Sequence, residues 1–349
     1  MRRRRLASLS IALLLAALTT AVACSGGGGG SPVATGSPGR PPPGSGGEGY
    51  LIITRPDGLV EYSVEDATER AVVTATANAF ILDPAVSPDG TKLAYIHQPP
   101  PEIIDDRYDA GSDLWVADRD GGNARPVYEH AVPSQLVRFP QWLDDTHILA
   151  IVQEPEVRDG ISTIVYALQD IDISTGERQP VREDVLAFTI SPDGQRVAYA
   201  RLDRAFGETL DAVDLDGSDF VTLVPKEQNL APFNSPRYAP DGATIAFASA
   251  DQTILTPPAG RLASVRPQGR SPSPSTDGLP QDIWIVDADG GTPRRAADLK
   301  EDVPALTWSG DGEHIYVLGA AGLYDIDMTS GVTTRIDEGV FHGQIAWAP

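Results

Sequence analysis

The chain has 349 residues and a formal net charge of −22, which arises from 49 acidic and 27 basic side chains. An acidic surface of this kind repels nucleic acid and anionic lipid headgroups, so a polynucleotide partner is disfavoured. Cys24 is the one cysteine, and a disulfide within the chain is therefore excluded.

The first 23 residues have the pattern of an export signal. A basic segment, Arg2 to Arg5, precedes an apolar stretch, Leu6 to Leu18, and the small residues Ala21-Val22-Ala23 follow. The apolar stretch is too short to span a bilayer, so we predict a signal peptide over residues 1–23. An uncleaved membrane anchor is the alternative.

Cys24 follows this segment directly, and Ala21 to Cys24 resemble a bacterial lipobox, in which the thiol takes a diacylglyceryl group. Residues 25–48 are Gly, Ser and Pro almost throughout, a composition that behaves as a flexible tether. We expect residues 24–48 to form a lipidated tether that holds the protein on the outer face of the cell membrane, with the lipid as its one membrane contact. The alternative is a secreted protein with a free Cys24.

A four-residue phrase recurs along the rest of the chain. It reads S-P-D-G at 87–90 and 191–194, A-P-D-G at 239–242 and S-G-D-G at 309–312, and a short apolar run follows each copy. Pro fixes φ, Asp bonds to nearby amides and Gly accepts a positive φ, so the phrase predicts a tight turn between two strands. The period of about 40–50 residues indicates repeated four-stranded antiparallel sheets, which must stack to bury both faces.

Five complete copies of this four-stranded unit can be traced between residues 76 and 343. The two ends of the chain together supply a sixth copy. Trp347 occupies the position of Trp308 and Tyr238, so residues 344–349 form a first strand that stops at its turn. The missing three strands are Tyr50 to Thr54, Leu59 to Val64 and Arg70 to Thr74. Their pairing with the C-terminal strand closes a ring and protects the sheet edges. We predict an all-β fold over residues 49–349, a six-bladed β-propeller of four-stranded antiparallel blades.

These repeats resemble those of the TolB-type (WD-like) β-propeller family. The family has the same turn phrase, then a strand like Ile245-Ala246-Phe247, then one like Asp282 to Asp287. The resemblance covers nearly all of residues 49–349 and implies a bacterial lipoprotein member. Family members include a periplasmic protein of the Tol–Pal system, the non-catalytic propellers of some serine peptidases, and lipoprotein propellers beside bacterial sensor kinases.

Residues 49–349 contain none of the catalytic motifs G-x-S-x-G, H-E-x-x-H or the P-loop. Aspartate pairs such as Asp118/Asp120 and Asp214/Asp216 could suggest calcium, but they lack the third ligand and the distal Glu of a calcium loop. Side-chain bonds in hairpin turns explain them. We therefore nominate no catalytic residue, no metal site and no cofactor, and enzymatic activity stays open.

Long connections between the second and third strands of a blade all emerge on one face. They span His97 to Asp113 in blade 1, Glu154 to Thr163 in blade 2 and Ala250 to Gln281 in blade 4. Such loops often form the binding surface of a propeller, although disordered decoration is the alternative. The candidate partner-binding residues are Asp105, Asp106, Tyr108, Asp109, Arg261 and Arg266. The tether joins on the opposite rim, so we expect this face to point away from the membrane.

The leading hypothesis is a lipid-anchored extracytoplasmic propeller that acts as a monomeric protein-binding or scaffolding module at the cell envelope. A first alternative is a sensor accessory that binds a small ligand, which a sizeable polar pocket would favour. A second is a hydrolase or lyase with a metal in the central channel. Convergent His, Asp and Glu side chains in that channel would favour it.

Overall fold

The structure is a computed structural model that describes residues 49–104, 106–158, 161–202, 207–253, 279–339 and 343–349. Within these residues the secondary structure is β throughout, apart from one short 3-10 helix at Lys226–Gln228. Twenty-four of the 26 strands form six four-stranded antiparallel sheets, and the other two form a small hairpin. The predicted fold, a six-bladed β-propeller, is confirmed.

The strands follow one another around the ring. Three strands of blade 6 come first: β1 (Tyr50–Arg55), β2 (Gly58–Ser63) and β3 (Glu69–Thr74). Blade 1 follows with β4 (Phe80–Val86), β5 (Lys92–Gln98), the hairpin β6 (Glu102–Ile104) and β7 (Arg107–Asp109), then β8 (Asp113–Asp118) and β9 (Arg125–Tyr128). Blade 2 contains β10 (Leu136–Trp142), β11 (His147–Arg158), β12 (Ile161–Asp172) and β13 (Arg178–Glu183).

Blade 3 contains β14 (Ala187–Ile190), β15 (Arg196–Leu202), β16 (Glu208–Asp214) and β17 (Val221–Val224). Blade 4 contains β18 (Asn234–Tyr238), β19 (Thr244–Ser249), β20 (Pro280–Asp287) and β21 (Arg294–Asp302). Blade 5 contains β22 (Ala305–Trp308), β23 (His314–Gly319), β24 (Gly322–Asp327) and β25 (Thr333–Asp337). The last strand, β26 (Ile345–Ala348), returns to blade 6.

Ring closure joins the two ends of the propeller in one sheet. Strand β26 pairs antiparallel with β1, and Tyr50 lies opposite Ala348 while Ile53 lies opposite Ile345. The sheet order is β26-β1-β2-β3, so the C-terminal strand takes the place that a first strand occupies in the other blades. Neighbouring first strands contact one another and form the inner wall of the ring.

The recurring phrase forms the turn between the first and second strands. In the copy at Ser87, the hydroxyl donates to Asp89 Oδ1 at 2.6 Å and accepts the amide of Lys92 at 2.9 Å. The amide of Gly90, at φ +70°, donates to the Ser87 carbonyl. The Ser87 hydroxyl and the Thr91 amide lower the pKa of Asp89 to about 2. Local polar bonds thus fix the turn, and the apolar run after it enters the core.

The core lies between blades rather than within them. Among the described residues, six apolar clusters each combine side chains from two adjacent blades, one cluster per blade interface. The indoles of Trp142 and Trp308 add a polar link, since each donates to a carbonyl of the preceding blade, at Ala85 and Arg237 respectively. Stacking therefore buries the faces that a lone four-stranded sheet leaves in water.

Candidate functional site

One rim of the ring carries the connections from second to third strands and from each blade to the next. We call this rim the insertion face. It is set by topology, because the turns after first and third strands lie on the opposite rim in every blade. Strand β1 begins on that opposite rim, where residue 49 enters the propeller.

Exposed apolar side chains are concentrated on the insertion face. Of the eleven large hydrophobic residues exposed in the described part of the chain, eight lie there: Phe80, Ile103, Tyr108, Val132, Val157, Leu202, Leu279 and Val303. The other three are Val181 on an outer strand and Phe220 and Val332 on the opposite rim. Single exposed hydrophobics are ordinary on a protein surface, and these eight are distributed over several connections of the insertion face.

The blade 1 insertion is a hairpin in the structure, not an irregular loop. Strands β6 and β7 pair Glu102 with Asp109 and Ile103 with Tyr108. Ile103 and Tyr108 are 76% and 62% exposed, so this cross-strand pair presents apolar surface to solvent. Asp106 lies exposed at the hairpin turn with φ +62°.

Asp109 is buried and anchors the hairpin to the connection between blades 1 and 2. Its Oδ1 accepts the amides of Gly111 at 2.9 Å and Ser134 at 3.0 Å, and its Oδ2 lies 3.2 Å from His130 Nε2. The other imidazole nitrogen, Nδ1, lies 2.6 Å from Asp113 Oδ1. His130 therefore bridges two carboxylates, one at the end of β7 and one at the start of β8.

The electrostatics of this bridge favour the charged imidazolium. Burial disfavours the charge on His130, but the hydrogen bonds to Asp113 and Asp109 outweigh it and raise its pKa. Burial likewise acts against the Asp109 carboxylate, while the amides of Ser134 and Gly111 outweigh it and lower its pKa. In the sequence His130 is one of five scattered histidines. One feature of the sequence could have identified it. His130 lies in the connection after the fourth strand of blade 1, and this connection emerges on the same face as the long insertion of that blade.

We expect the bridge to make stability depend on pH. Since the folded pKa of His130 is raised, its contribution is fully present below the unfolded value of about 6.5 and is lost as pH rises through the folded value. Between pH 6 and pH 9 the wild type should lose on the order of 1 kcal/mol more unfolding free energy than His130→Gln. Urea unfolding at each pH measures this. His147→Gln, at an exposed histidine of the opposite rim, is the control and should follow the wild type; if it deviates as much as His130→Gln, the bridge is not the cause.

The blade 2 connection differs from the predicted ten-residue loop over Glu154 to Thr163. Strands β11 and β12 continue through this segment as a paired arm, with Glu154 opposite Val165 and Arg158 opposite Ile161. Pro155 is tolerated because an arm of two strands leaves one side of each strand unpaired. Val157, near the tip, is 71% exposed and adds to the apolar surface of the insertion face.

Three of the candidate partner-binding residues fall outside the described residues: Asp105, Arg261 and Arg266. Of the other three, Asp106 and Tyr108 are exposed on the hairpin and Asp109 is buried beneath it. Cys24 also lies outside the described residues, as do the predicted signal peptide and tether up to residue 48.

The central channel is polar. The Arg138 guanidinium lies 3.0 Å from Asp83 Oδ2, and Arg237 and Ser235 both donate to Gln344 Oε1, at 3.1 and 3.0 Å. Burial lowers the pKa of Arg237 to about 10, partly offset by Asp83, so this guanidinium is charged at neutral pH. In the described inner strands Asp83 is the one carboxylate and there is no histidine, so the donor set that the channel-metal alternative requires is not found there.

The aspartates of the outer turns bond to their own backbone. Asp120 Oδ1 accepts the amide of Gly122 at 2.9 Å, and Asp216 Oδ1 accepts that of Ser218 at 2.8 Å. Over the described ranges, no group of three or more His, Cys, Asp and Glu side chains is arranged to hold a metal ion. None of the described residues forms a helix with the length and apolar character needed to traverse a bilayer.

Solved structures with the same architecture support the fold. TolB from Acinetobacter baumannii superposes with a TM-score of 0.59 and 16% identity, over 86% of this chain and 66% of that protein. The chain thus spans slightly less than two thirds of that TolB. A TolB candidate from Agrobacterium tumefaciens gives a TM-score of 0.53 and 17% identity, over 84% and 90% of the two chains.

A chain of a nidogen–laminin complex gives a TM-score of 0.58 and 10% identity, over 86% of this chain and 98% of that chain. No protein-family model and no curated protein sequence matches the chain. At such low identities the likeness concerns the fold, and function must be argued from the site. The turn phrase, the six blades and the shared closing sheet give this chain the fold of a six-bladed β-propeller, similar to that of the TolB structures.

Proposed function

We propose that the chain is a lipid-anchored protein-binding module of the cell envelope that docks its partner on the insertion face. The observation that carries this proposal is the concentration of exposed apolar side chains on one rim, eight of the eleven in the described residues. Aromatic and aliphatic side chains of this kind supply the buried centre of protein interfaces. The fold also occurs in a protein assembly, the nidogen–laminin complex.

The hairpin β6–β7 is the proposed docking element on this face. Ile103 and Tyr108 offer apolar contacts, Asp106 offers a charge at the tip, and the His130 bridge to Asp109 holds the hairpin in place. A surface held in its binding conformation before the partner arrives loses less entropy on binding. Asp105, Arg261 and Arg266 belong to the same proposed surface by their position in the sequence.

Anchoring rests on the sequence of residues 1–48. A diacylglyceryl group on Cys24 holds a protein stably because two or more acyl chains are buried. The chain enters β1 from the rim opposite the insertion face, which favours an orientation with the docking surface turned away from the membrane. Palmitate labelling that Cys24→Ser abolishes tests this part, and a label retained in that variant would contradict it.

Site-specific photo-cross-linking in the native cells tests the docking surface. A benzoylphenylalanine at Tyr108, 62% exposed on the insertion face, should give a discrete protein adduct. The same group at Phe220, 51% exposed on the opposite rim, is the matched control and should give none. Adducts of equal yield from both positions, or no adduct from Tyr108, would overturn the assignment.

A further inference from the structure

A pocket of about 370 Å³ lies on the insertion face where blades 3 and 4 meet. This volume falls within the range of small-molecule sites, roughly 300–1,000 Å³. Its described lining combines the polar residues Glu208, Lys226 and Gln252 with the apolar residues Leu230 and Pro232. A mixed lining of this kind, apolar with a few polar groups, is typical of sites that orient a small organic ligand.

The wall of the pocket is firmly built. It is the connection from β17 to β18, which contains the 3-10 helix and runs beside the chain that leaves β19. The amide of Ala231 donates to the Ala250 carbonyl at 3.1 Å, and the amide of Gln252 donates to the Asn229 carbonyl at 2.8 Å. The Gln252 side chain donates to the Ala231 carbonyl at 2.5 Å. The pocket thus exists before any ligand enters.

Glu208, the first residue of β16, is the distinctive group in this pocket. It is 8% exposed, and its Oε1 accepts the amide of Phe233 at 2.7 Å. Among the described residues no basic side chain forms an ion pair with it. Burial raises its pKa to about 7, against the smaller opposing effect of the Phe233 amide. A buried carboxylate with one neutral donor is costly, and a cation beside it would remove that cost.

We propose that this pocket binds a small primary amine with an apolar body, whose ammonium group pairs with Glu208. At about 30 Å³ per water molecule, the pocket of about 370 Å³ holds a ligand of about twelve non-hydrogen atoms. The apolar body packs against Leu230 and Pro232. The proposal is independent of partner docking, because it requires only the folded propeller.

Binding of an amine should be linked to the proton on Glu208. The ammonium group favours the charged carboxylate. Near neutral pH a part of the protein molecules has Glu208 protonated, and binding of the amine releases that proton. From pH 6 to pH 8 the charged fraction of a group with a pKa of about 7 rises about tenfold. The affinity for an amine should rise by the same factor.

Isothermal titration calorimetry with phenethylamine tests the site on the purified full-length protein. We expect sub-millimolar binding to the wild type and at least a tenfold loss in Glu208→Gln. Phenylethanol, which has the same shape and no charge, should bind at least tenfold more weakly than the amine. Glu227→Gln removes an exposed carboxyl group from the same wall and should bind the amine as the wild type does.

Three results would each overturn the proposal. These are equal affinity for the amine and the alcohol, an affinity that does not change between pH 6 and pH 8, and full affinity in Glu208→Gln. If Glu208→Gln fails to fold, two measurements on the wild-type protein still test the proposal. These are the comparison of the amine with the alcohol and the pH dependence of amine binding. Loss of binding in Glu227→Gln as large as in Glu208→Gln would also contradict it, since general attraction to an acidic wall would then explain the binding.

Discussion

Removal of residues 344–349 should collapse the propeller. The deletion takes away β26, and with it the pairing to β1, the buried side chain of Ile345 and the stacking of Trp347 on Tyr316 at 5.8 Å. Two large apolar side chains and several ladder bonds contribute on the order of 5 kcal/mol. Since domains are stable by about 5–15 kcal/mol, the truncated chain should be largely unfolded or aggregated. Urea unfolding followed by circular dichroism measures the change.

A permuted chain is the control for this deletion. Residues 344–349 are joined to the N-terminal side of residue 49 through the dipeptide Asp-Gly, so the junction reads A-P-D-G-G-Y-L. This sequence matches A-P-D-G-A-T-I at Ala239 to Ile245, which is the corresponding turn and strand of blade 4. We expect the permuted chain to recover the wild-type stability to within about 1 kcal/mol. An unchanged midpoint in the truncated chain would contradict closure by β26, and so would a permuted chain as unstable as the truncated one.

Gly121→Ala should strongly destabilise the propeller. Gly121 closes the turn after β8 at φ +86°, and a Cβ there would lie 1.9 Å from the carbonyl oxygen of Val72 in β3 of blade 6. The Cβ is fixed to the backbone of the turn and the atom that it meets is a backbone oxygen, so no side chain can rotate to relieve the clash. Blades 1 and 6 must therefore move apart. We expect a loss of about 4 kcal/mol, measured by urea unfolding, from the strained φ and the displaced interface together.

Gly217→Ala separates these two contributions. Gly217 occupies the same position in the D-x-D-G turn of blade 3, at φ +87°, and a Cβ there would meet no atom within 4 Å. Its substitution should cost only the strain of a positive φ, about 1–2 kcal/mol. If the two variants lose equal stability, the contact between the turn of blade 1 and blade 6 does not contribute, and the conformation of the glycine explains both.

The fold could be predicted from the sequence because each blade repeats a locally fixed turn. The Ser, Asp and Gly of the phrase bond to one another within six residues, so the turn does not depend on distant parts of the chain. Closure was predictable for the same reason. Trp347 stands just before Ala348-Pro349, the first two residues of the turn phrase. Its position therefore identifies residues 344–349 as the first strand of a blade whose other strands lie elsewhere, and the pairing of β26 with β1 confirms this.

The site was less predictable because its contacts join segments far apart in sequence. Asp109 has the same acidic surroundings as Asp106, and no pattern in the sequence distinguishes the buried aspartate from the exposed one. Its burial depends on His130 and Ser134, which come from the next connection. Glu208 was missed for a similar reason, since the amide that bonds to it belongs to Phe233. The blade 2 arm does have a local signal, Asp159-Gly160, a dipeptide typical of hairpins.

The position of β1 has a mechanical consequence. This strand is hydrogen-bonded along both edges, to β2 on one side and to β26 on the other. Tension applied to the chain ahead of Gly49 acts along the axis of β1 and shears both of its hydrogen-bond ladders. The hydrogen bonds of each ladder then bear the load together and do not break one after another. The ring should therefore resist force applied at Gly49, through both ladders of β1 at once.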